Sequence, residues 1–462
     1  MAGRSFSTTP RVTPARVLAA AALLVAVAGC DRAPPDGVAL VGATVFDGTS
    51  PLPQPDQVII IRNDKIEAIG SRAEVDIPRR MRTVDLTGKF VVPGLIDGHV
   101  HLQRWTLPRF LAAGVTSVRD VHGGFDSIIA LREQAYLGSL TSPRIFSAGA
   151  MIDAAPATYS DAFVVGGAND ARKAVDKLAV TGVDYVKVYT RITPDLLRAI
   201  VDEAQTFGLR VTAHLGLTDA LTAADLGVRS IEHMSGVPEA TVANNAALFA
   251  AHREGFFEGW TAFEKSWAGL DSAAMAGVAE KLIAGRVIIV PTLVLHETLS
   301  RLDDPAIMQD ESLRMVPDTE ISRWNVPGMV ERAGWTAPDF SAFRASRPNE
   351  DLFVRIYRAS GGKVVAGTDA ANQLIVPGAS LVRELELLVQ AGFSNTDALF
   401  SATRDAALLL GADSLGALVP GRKADLIILA RDPLADIGNL RSIQQVMVRG
   451  HLMSTDSLRS HW

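Results

Sequence analysis

Short apolar runs separated by turn residues open the ordered pattern of the chain. Residues 38–41, 43–46 and 58–61 are almost wholly apolar and read as strands. Asn63-Asp64 reads as a hairpin turn into a further strand at 65–70, and 83–86 and 90–93 continue an all-β texture around Thr87-Gly88. The same texture returns late, where the turn Gly421-Arg422-Lys423 precedes apolar runs at 424–429 and 446–450. Between these ends the period changes. Strands at 114–120, 185–189, 211–214, 230–233, 287–290 and 364–369 alternate with helical patterns at 169–181, 195–207 and 218–226. The helix at 169–181 is typical, with Ala171, Ala174, Val175, Leu178 and Ala179 on one face. Repeated β-then-α units predict an α/β fold built on a (β/α)8 TIM barrel. The two β ends predict a small β-sandwich domain formed from both termini, at 37–90 and 410–455, around a barrel at 91–409. Two stretches exceed a minimal barrel: 240–285, which reads as mostly helical, and 298–350, which reads as irregular. Excursions of that length often serve as lids or binding loops.

Composition narrows the function classes. The 462 residues are 48% hydrophobic and 21% charged, a globular balance, and the formal charge of −6 comes with no basic tract. That excludes a nucleic-acid partner and leaves a small-molecule substrate. Arg4, Arg11 and Arg16 precede an apolar run at 17–29 that is too short to span a bilayer comfortably, and Cys30, the only cysteine, ends it. Val27-Ala28-Gly29-Cys30 resembles a bacterial lipobox, which implies a signal peptide at 1–29, lipid on Cys30 and a tether at 30–36. The expectation is an exported lipoprotein on the periplasmic side of the inner or outer membrane, possible as a homo-oligomer. Asp31 resembles an inner-membrane retention signal. An ordinary signal peptide that happens to end near a cysteine is the alternative.

Candidate chemistry gathers where predicted strands end, the end that carries the active site in barrels of this kind. His99 and His101 are two apart, so on a strand both imidazoles face one side and can bind one ion. Lys187 shares a strand face with Tyr185 and Tyr189. Buried there it is either ion-paired or neutral, and a neutral amine can carry CO2 as a carbamate that bridges two metals. His214, His233 and Asp369 end three further strands.

These residues and their flanks resemble the amidohydrolase superfamily, in the imidazolonepropionase-like branch with prolidase-type Xaa-Pro dipeptidases and ochratoxin-cleaving amidases. The carrying segments are residues 92–101, 182–188, 208–214, 230–233, 290–293 and 366–369, with 420–426 resembling the closing β-sandwich. The resemblance spans about residues 37 to 452. It implies two divalent metal ions, of which zinc suits the donor set. His99, His101 and Asp369 would hold the more buried ion, His214 and His233 the second, with carbamylated Lys187 between them. Asp369 would also be the catalytic proton acceptor. The implied activity is hydrolysis of a non-heterocyclic or peptide-like amide, as a dipeptidase or N-acyl amino acid amidase.

The chain departs from the branch in one place. Relatives often carry a histidine in the loop after the third strand, and residues 148–156 hold none. His122 or His296 could serve instead, and Tyr189 and Arg191, just past Lys187, could grip a substrate carboxylate. A lactonase, esterase or cyclic-amide hydrolase uses the same metal chemistry and stays open. A deaminase usually has a glutamate shortly after the third metal histidine, and residues 215–218 contain none. A non-catalytic binding lipoprotein is the remaining alternative, with all six ligand positions filled against it.

Overall fold

The computed structural model describes residues 37–460; the expected signal peptide, Cys30 and the tether lie outside them. The two ends of the chain meet in one sheet. Val38–Val45 pairs antiparallel with Gln54–Arg62, which turns at Asn63 (φ 52°) into Lys65–Ser71. Phe90–Pro93 runs parallel to Val38–Val45 and antiparallel to Leu426–Leu429, which continues to Ile443–Val448 and His451–Ser454. In its hydrogen bonding this module is one eight-stranded sheet, where the sequence suggested two facing ones. Side chains of a strand alternate faces, and here both faces are covered. Leu40, Ile59, Ile61, Leu426 and Ile428 share one buried cluster, and Ala39, Val41, Val58 and Ile60 another. That is why 58–61 reads as an unbroken apolar run rather than an alternation.

The barrel begins directly after this sheet. Its strands, in order, are Leu95–Val100, Val115–Asp120, Arg144–Ser147, Tyr185–Val188, Arg210–Ala213, Ser230–Glu232, Ile288–Val290 and Lys363–Val364. Neighbours pair in parallel, except between the third and fourth, where the Asp184 amide donates to the Ser147 carbonyl at 2.9 Å. The ring closes through the Gly98 amide on Ala366 at 2.9 Å and the Asp369 amide on His99 at 2.8 Å. Gly98 is required at this seam, since a Cβ there would sit 2.8 Å from the Ala366 carbonyl oxygen.

Helices cover the outside with the expected periodicity. Ala168–Val180 buries Ala171, Ala174, Val175 and Leu178. Gly182 (φ 71°) then reverses the chain, and the Val183 amide reaches back to Leu178, a left-handed helix end that leads into the fourth strand. The first excursion is helical as expected, with Ala246–Glu254, Phe256–Ser266 and Ser272–Ala284.

The second excursion differs from expectation. Residues 298–350 are not irregular: they hold Asp318–Trp324, Val326–Ala333 and most of the 23-residue helix Ala337–Ala359. The prolines of this stretch are compatible with its helices. Pro327 and Pro338 occupy the first turns of helices, where no amide hydrogen is needed. Pro348 sits within the long helix.

Candidate active site

All six candidate ligands line one cavity of about 560 Å³ at the C-terminal end of the barrel strands. The Nε2 atoms of His99 and His101 lie 3.0 and 2.8 Å from Asp369 Oδ1. This oxygen is buried between the two ring nitrogens. Three donor atoms this close suit either a shared proton or a shared cation. One donor atom from each of His99, His233 and Asp369 falls within 4.8 Å of the others. The His214 ring stands 4.6 Å from that of His233.

Lys187 is 1% exposed, and its amine has no hydrogen-bond or ion-pair partner among the described residues. Burial, with Arg119 adding to it, lowers its pKa to about 8 against the pull of Glu232 and Asp369. Burial likewise pushes His214 and His233 well below their usual range, with neighbouring cationic groups adding, so both are neutral and fit to ligate.

The ligands are themselves held. His99 Nδ1 meets Glu232 Oε2 at 2.6 Å, and Glu232 Oε1 accepts from the Arg119 guanidinium at 2.6 Å. Arg119 also donates to the Gly98 carbonyl at 2.5 Å and to Ser230 Oγ at 3.0 Å, and Thr212 Oγ1 donates to Glu232. His101 Nδ1 donates to the His122 carbonyl at 2.9 Å, and His233 Nδ1 pairs with Thr292 Oγ1 at 2.7 Å. Each contact leaves an Nε2 lone pair for an ion. Sequence reasoning missed Glu232. On a regular strand it would face away from His233, but the φ of 58° at His233 ends the alternation and both side chains turn inward.

Arg119 and Glu232 are both buried, so removing one charge strands the other. Glu232→Gln is expected to cost about 3–5 kcal/mol of stability and roughly 10–100-fold in metal affinity. Thermal unfolding of the metal-free protein and a zinc titration read the two effects. Wild-type values in both would remove Glu232 from this role.

The secondary candidates scatter. Tyr189 lines the cavity, with its ring 4.7 Å from His214 and 5.6 Å from Tyr159. Tyr159, which sequence reasoning did not single out, enters from the segment between Ile152–Ala154 and Phe163–Val165. Arg191 reaches the cavity; its Nη1 and Nη2 lie 3.4 and 3.2 Å from the carbonyls of His252 and Arg253, and its buried Nε has no hydrogen-bond partner. His122 is outside the cavity lining; its Nδ1 accepts from the Met151 amide and its Nε2 faces Asp161 at 3.1 Å.

His296 is also displaced. Thr292 (φ 49°) turns the chain off the seventh strand into the helix Leu293–Leu299, which carries His296 to full burial behind Trp260. There its Nδ1 lies 2.6 Å from Glu264 and 3.7 Å from Glu350. Burial alone would lower its pKa, but these carboxylates raise it to about 9. A raised imidazole stabilises the fold fully below its ordinary value, and that contribution is lost as pH climbs through 9. Glu350 and Glu384, raised by burial to about 7 and 8, act in the same direction. The melting temperature of chelator-treated protein is therefore expected to fall between pH 6.5 and 9, and to fall less in His296→Gln. An identical slope in both proteins would contradict this.

A parallel α/β barrel with imidazoles and a carboxylate converging at its strand ends is a scaffold that could hold a metal ion. The model of the amidohydrolase family matches residues 90–453, and the chain belongs to that family, as a hydrolase acting on carbon–nitrogen bonds. The imidazolonepropionase of Cereibacter sphaeroides is 24% identical over 409 residues, covering 86% of this chain and 93% of its own. Among solved structures, bottromycin amidohydrolase superposes with a TM-score of 0.70 at 22% identity, over 93% of this chain and 89% of that one. A Xaa-Pro dipeptidase with methionine in its active site gives 0.68 at 21%, over 91% and 100%.

Proposed function

We propose that this chain is a binuclear metal-dependent amidase that cleaves a peptide-like, non-heterocyclic amide, as a dipeptidase or N-acyl amino acid amidase. The convergence of His99, His101 and buried Asp369 Oδ1, beside two neutral imidazoles and a partnerless Lys187, carries this reading. His99, His101 and Asp369 would hold one divalent ion, His214 and His233 the other, and Lys187, as a carbamate, would join them; zinc suits these donors. The ions would supply a hydroxide at neutral pH and polarise the scissile carbonyl.

The remaining chemistry belongs to the chain. Burial would raise the Asp369 pKa, but His99 and His101 hold it well below the usual range, so its carboxylate is ionised and can accept the proton of attacking water. The same oxygen then returns that proton to the leaving nitrogen. Tyr159 and Tyr189, whose rings lie 5.6 Å apart on the cavity wall, would orient the substrate. Bonds to Glu232, His122 and Thr292 keep the imidazoles from rotating as charge develops.

The test is a panel of Xaa-Pro and other dipeptides, N-acyl amino acids and lactones offered to zinc-loaded enzyme. Zinc-dependent release of an amine from one class of linear amides is the expected result. Turnover of lactones alone would replace the amidase reading by a lactonase one.

A further inference from the structure

A second cavity, of about 1260 Å³, lies between the terminal sheet and the barrel, and Gly37, the first described residue, is on its lining. Arg144 and Asp184 line it from the barrel. They stand at the start of the third strand and just before the fourth, whereas the candidate ligands stand at the opposite ends of the strands. Cys30 is seven residues before Gly37, and seven residues reach at most about 25 Å when fully extended. An attachment at Cys30 therefore holds this face, and not the ligand cluster, nearest to a membrane.

The face is apolar and cationic at once. Val180, Tyr136 and Leu137 are 88%, 82% and 69% exposed, more than any other large apolar side chain among the described residues. Their gathering follows from the barrel. Phe125–Tyr136 and Ala168–Val180 each carry the chain back to the start of the next strand, so both helices end on this side. Tyr136 lines the cavity, and so do Thr181 and Gly182 directly after Val180. Arg132 ties the two helix ends together, with Nη1 3.1 Å from Asp184 and Nη2 3.4 Å from the Thr181 carbonyl. From the sheet, Arg82 lines the cavity and pairs in register with Val38, beside the point where the tether arrives. Arg79, Arg80 and Arg82 are exposed and make no hydrogen bond or ion pair among the described residues. Asp64 and Asp184 are paired with Lys423 and Arg132, which leaves Asp76 and Glu133 to oppose three free guanidiniums in a chain of formal charge −6.

Exposed apolar side chains beside uncommitted cations suit the boundary between acyl chains and anionic headgroups, where tyrosine is also favoured. We propose that this face rests on an anionic phospholipid bilayer, to which lipid on Cys30 tethers the chain. Val180, Tyr136 and Leu137 enter the headgroup region, and Arg79, Arg80 and Arg82 meet the phosphates. The cavity of the candidate ligands then opens away from the bilayer, and its substrate arrives from the aqueous side. Each arginine at an anionic surface favours contact about fivefold, and salt screens that gain.

The full lipidated chain is placed in vesicles of phosphatidylcholine, with or without phosphatidylglycerol. Lipid leaves Cys30 no free thiol, so Ser139→Cys, three residues past Tyr136, or Met308→Cys, in the second excursion, provides a single position for a fluorescent label. Quenching by spin-labelled lipid reads the distance of each label from the bilayer. With phosphatidylglycerol present, the label at 139 is expected to be quenched roughly fivefold more than the label at 308, and less so at high salt. Arg79→Gln, Arg80→Asn and Arg82→Gln together should remove most of that difference. Asparagine is chosen because Arg80 has a φ of 70°. The melting temperature should hold, since these arginines bond to nothing. Equal quenching at the two positions, or a difference that neither salt nor the triple variant reduces, overturns the proposal. A chain that does not sediment with the vesicles overturns it as well. Energy transfer between labels at 139 on neighbouring chains, without quenching by lipid, would also overturn it and assign the face to a second copy.

Discussion

Asp369→Asn is expected to reduce kcat by about three orders of magnitude or more while the fold is retained. The substitution keeps the shape of the side chain and removes its charge and basicity. Asp369 has a φ of 69°, and asparagine is among the few residues that tolerate this region, so the backbone gains no strain. The amide hydrogen bond to the His99 carbonyl, which helps close the barrel, is independent of the side chain. What is lost is an ionised oxygen 3.0 and 2.8 Å from two imidazole nitrogens, able to take a proton from water and return it to the departing amine. Circular dichroism and melting temperature should match wild type, while turnover of the best amide falls to background. Activity within tenfold of wild type would remove Asp369 from proton transfer.

The candidate ligands were legible in the sequence because each sits where a strand pattern stops. His99, His101, Lys187, His214, His233 and Asp369 all face the one cavity, as strand periodicity and the β-then-α order suggested. The groups that orient them were hidden. Glu232 reads as an outward residue until the left-handed backbone at His233 is known, and Arg119 reads as an ordinary charge in a mixed strand. His296 failed for a related reason. One left-handed residue, Thr292, converts a strand end into a helix start and points His296 away from the cavity. Local φ values of this kind leave no periodic trace in a sequence. The second excursion was obscured differently, because prolines in helix first turns look the same in a sequence as prolines that break helices. That segment supplies Arg332 and Trp335 to the cavity lining, so the outer wall was the least legible part of the site.

Lys187→Ala is expected to lower bound metal from two ions per chain to at most one and to reduce turnover by about a hundredfold or more. The argument starts from burial. A lysine 1% exposed without a partner cannot keep its charge cheaply, and its pKa of about 8 leaves roughly a tenth of it neutral at pH 7. That neutral amine can attack CO2, forming a nitrogen–carbon bond and releasing one proton, so a cation becomes an anion with two oxygen donors. The change suits the cavity. An ammonium would repel divalent ions held by His99, His101, His214 and His233, whereas a carbamate attracts both. Arg119 and Glu232 below it already neutralise each other, so neither competes for the new anion. Elemental analysis of the variant measures the metal loss directly. Adding acetate or propionate should then restore part of both metal content and activity, since a free carboxylate can fill the space left by the side chain and place its oxygens between the ions. A full metal complement in Lys187→Ala, with no response to added carboxylate, would exclude the bridge and leave Lys187 as a buried amine with some other purpose.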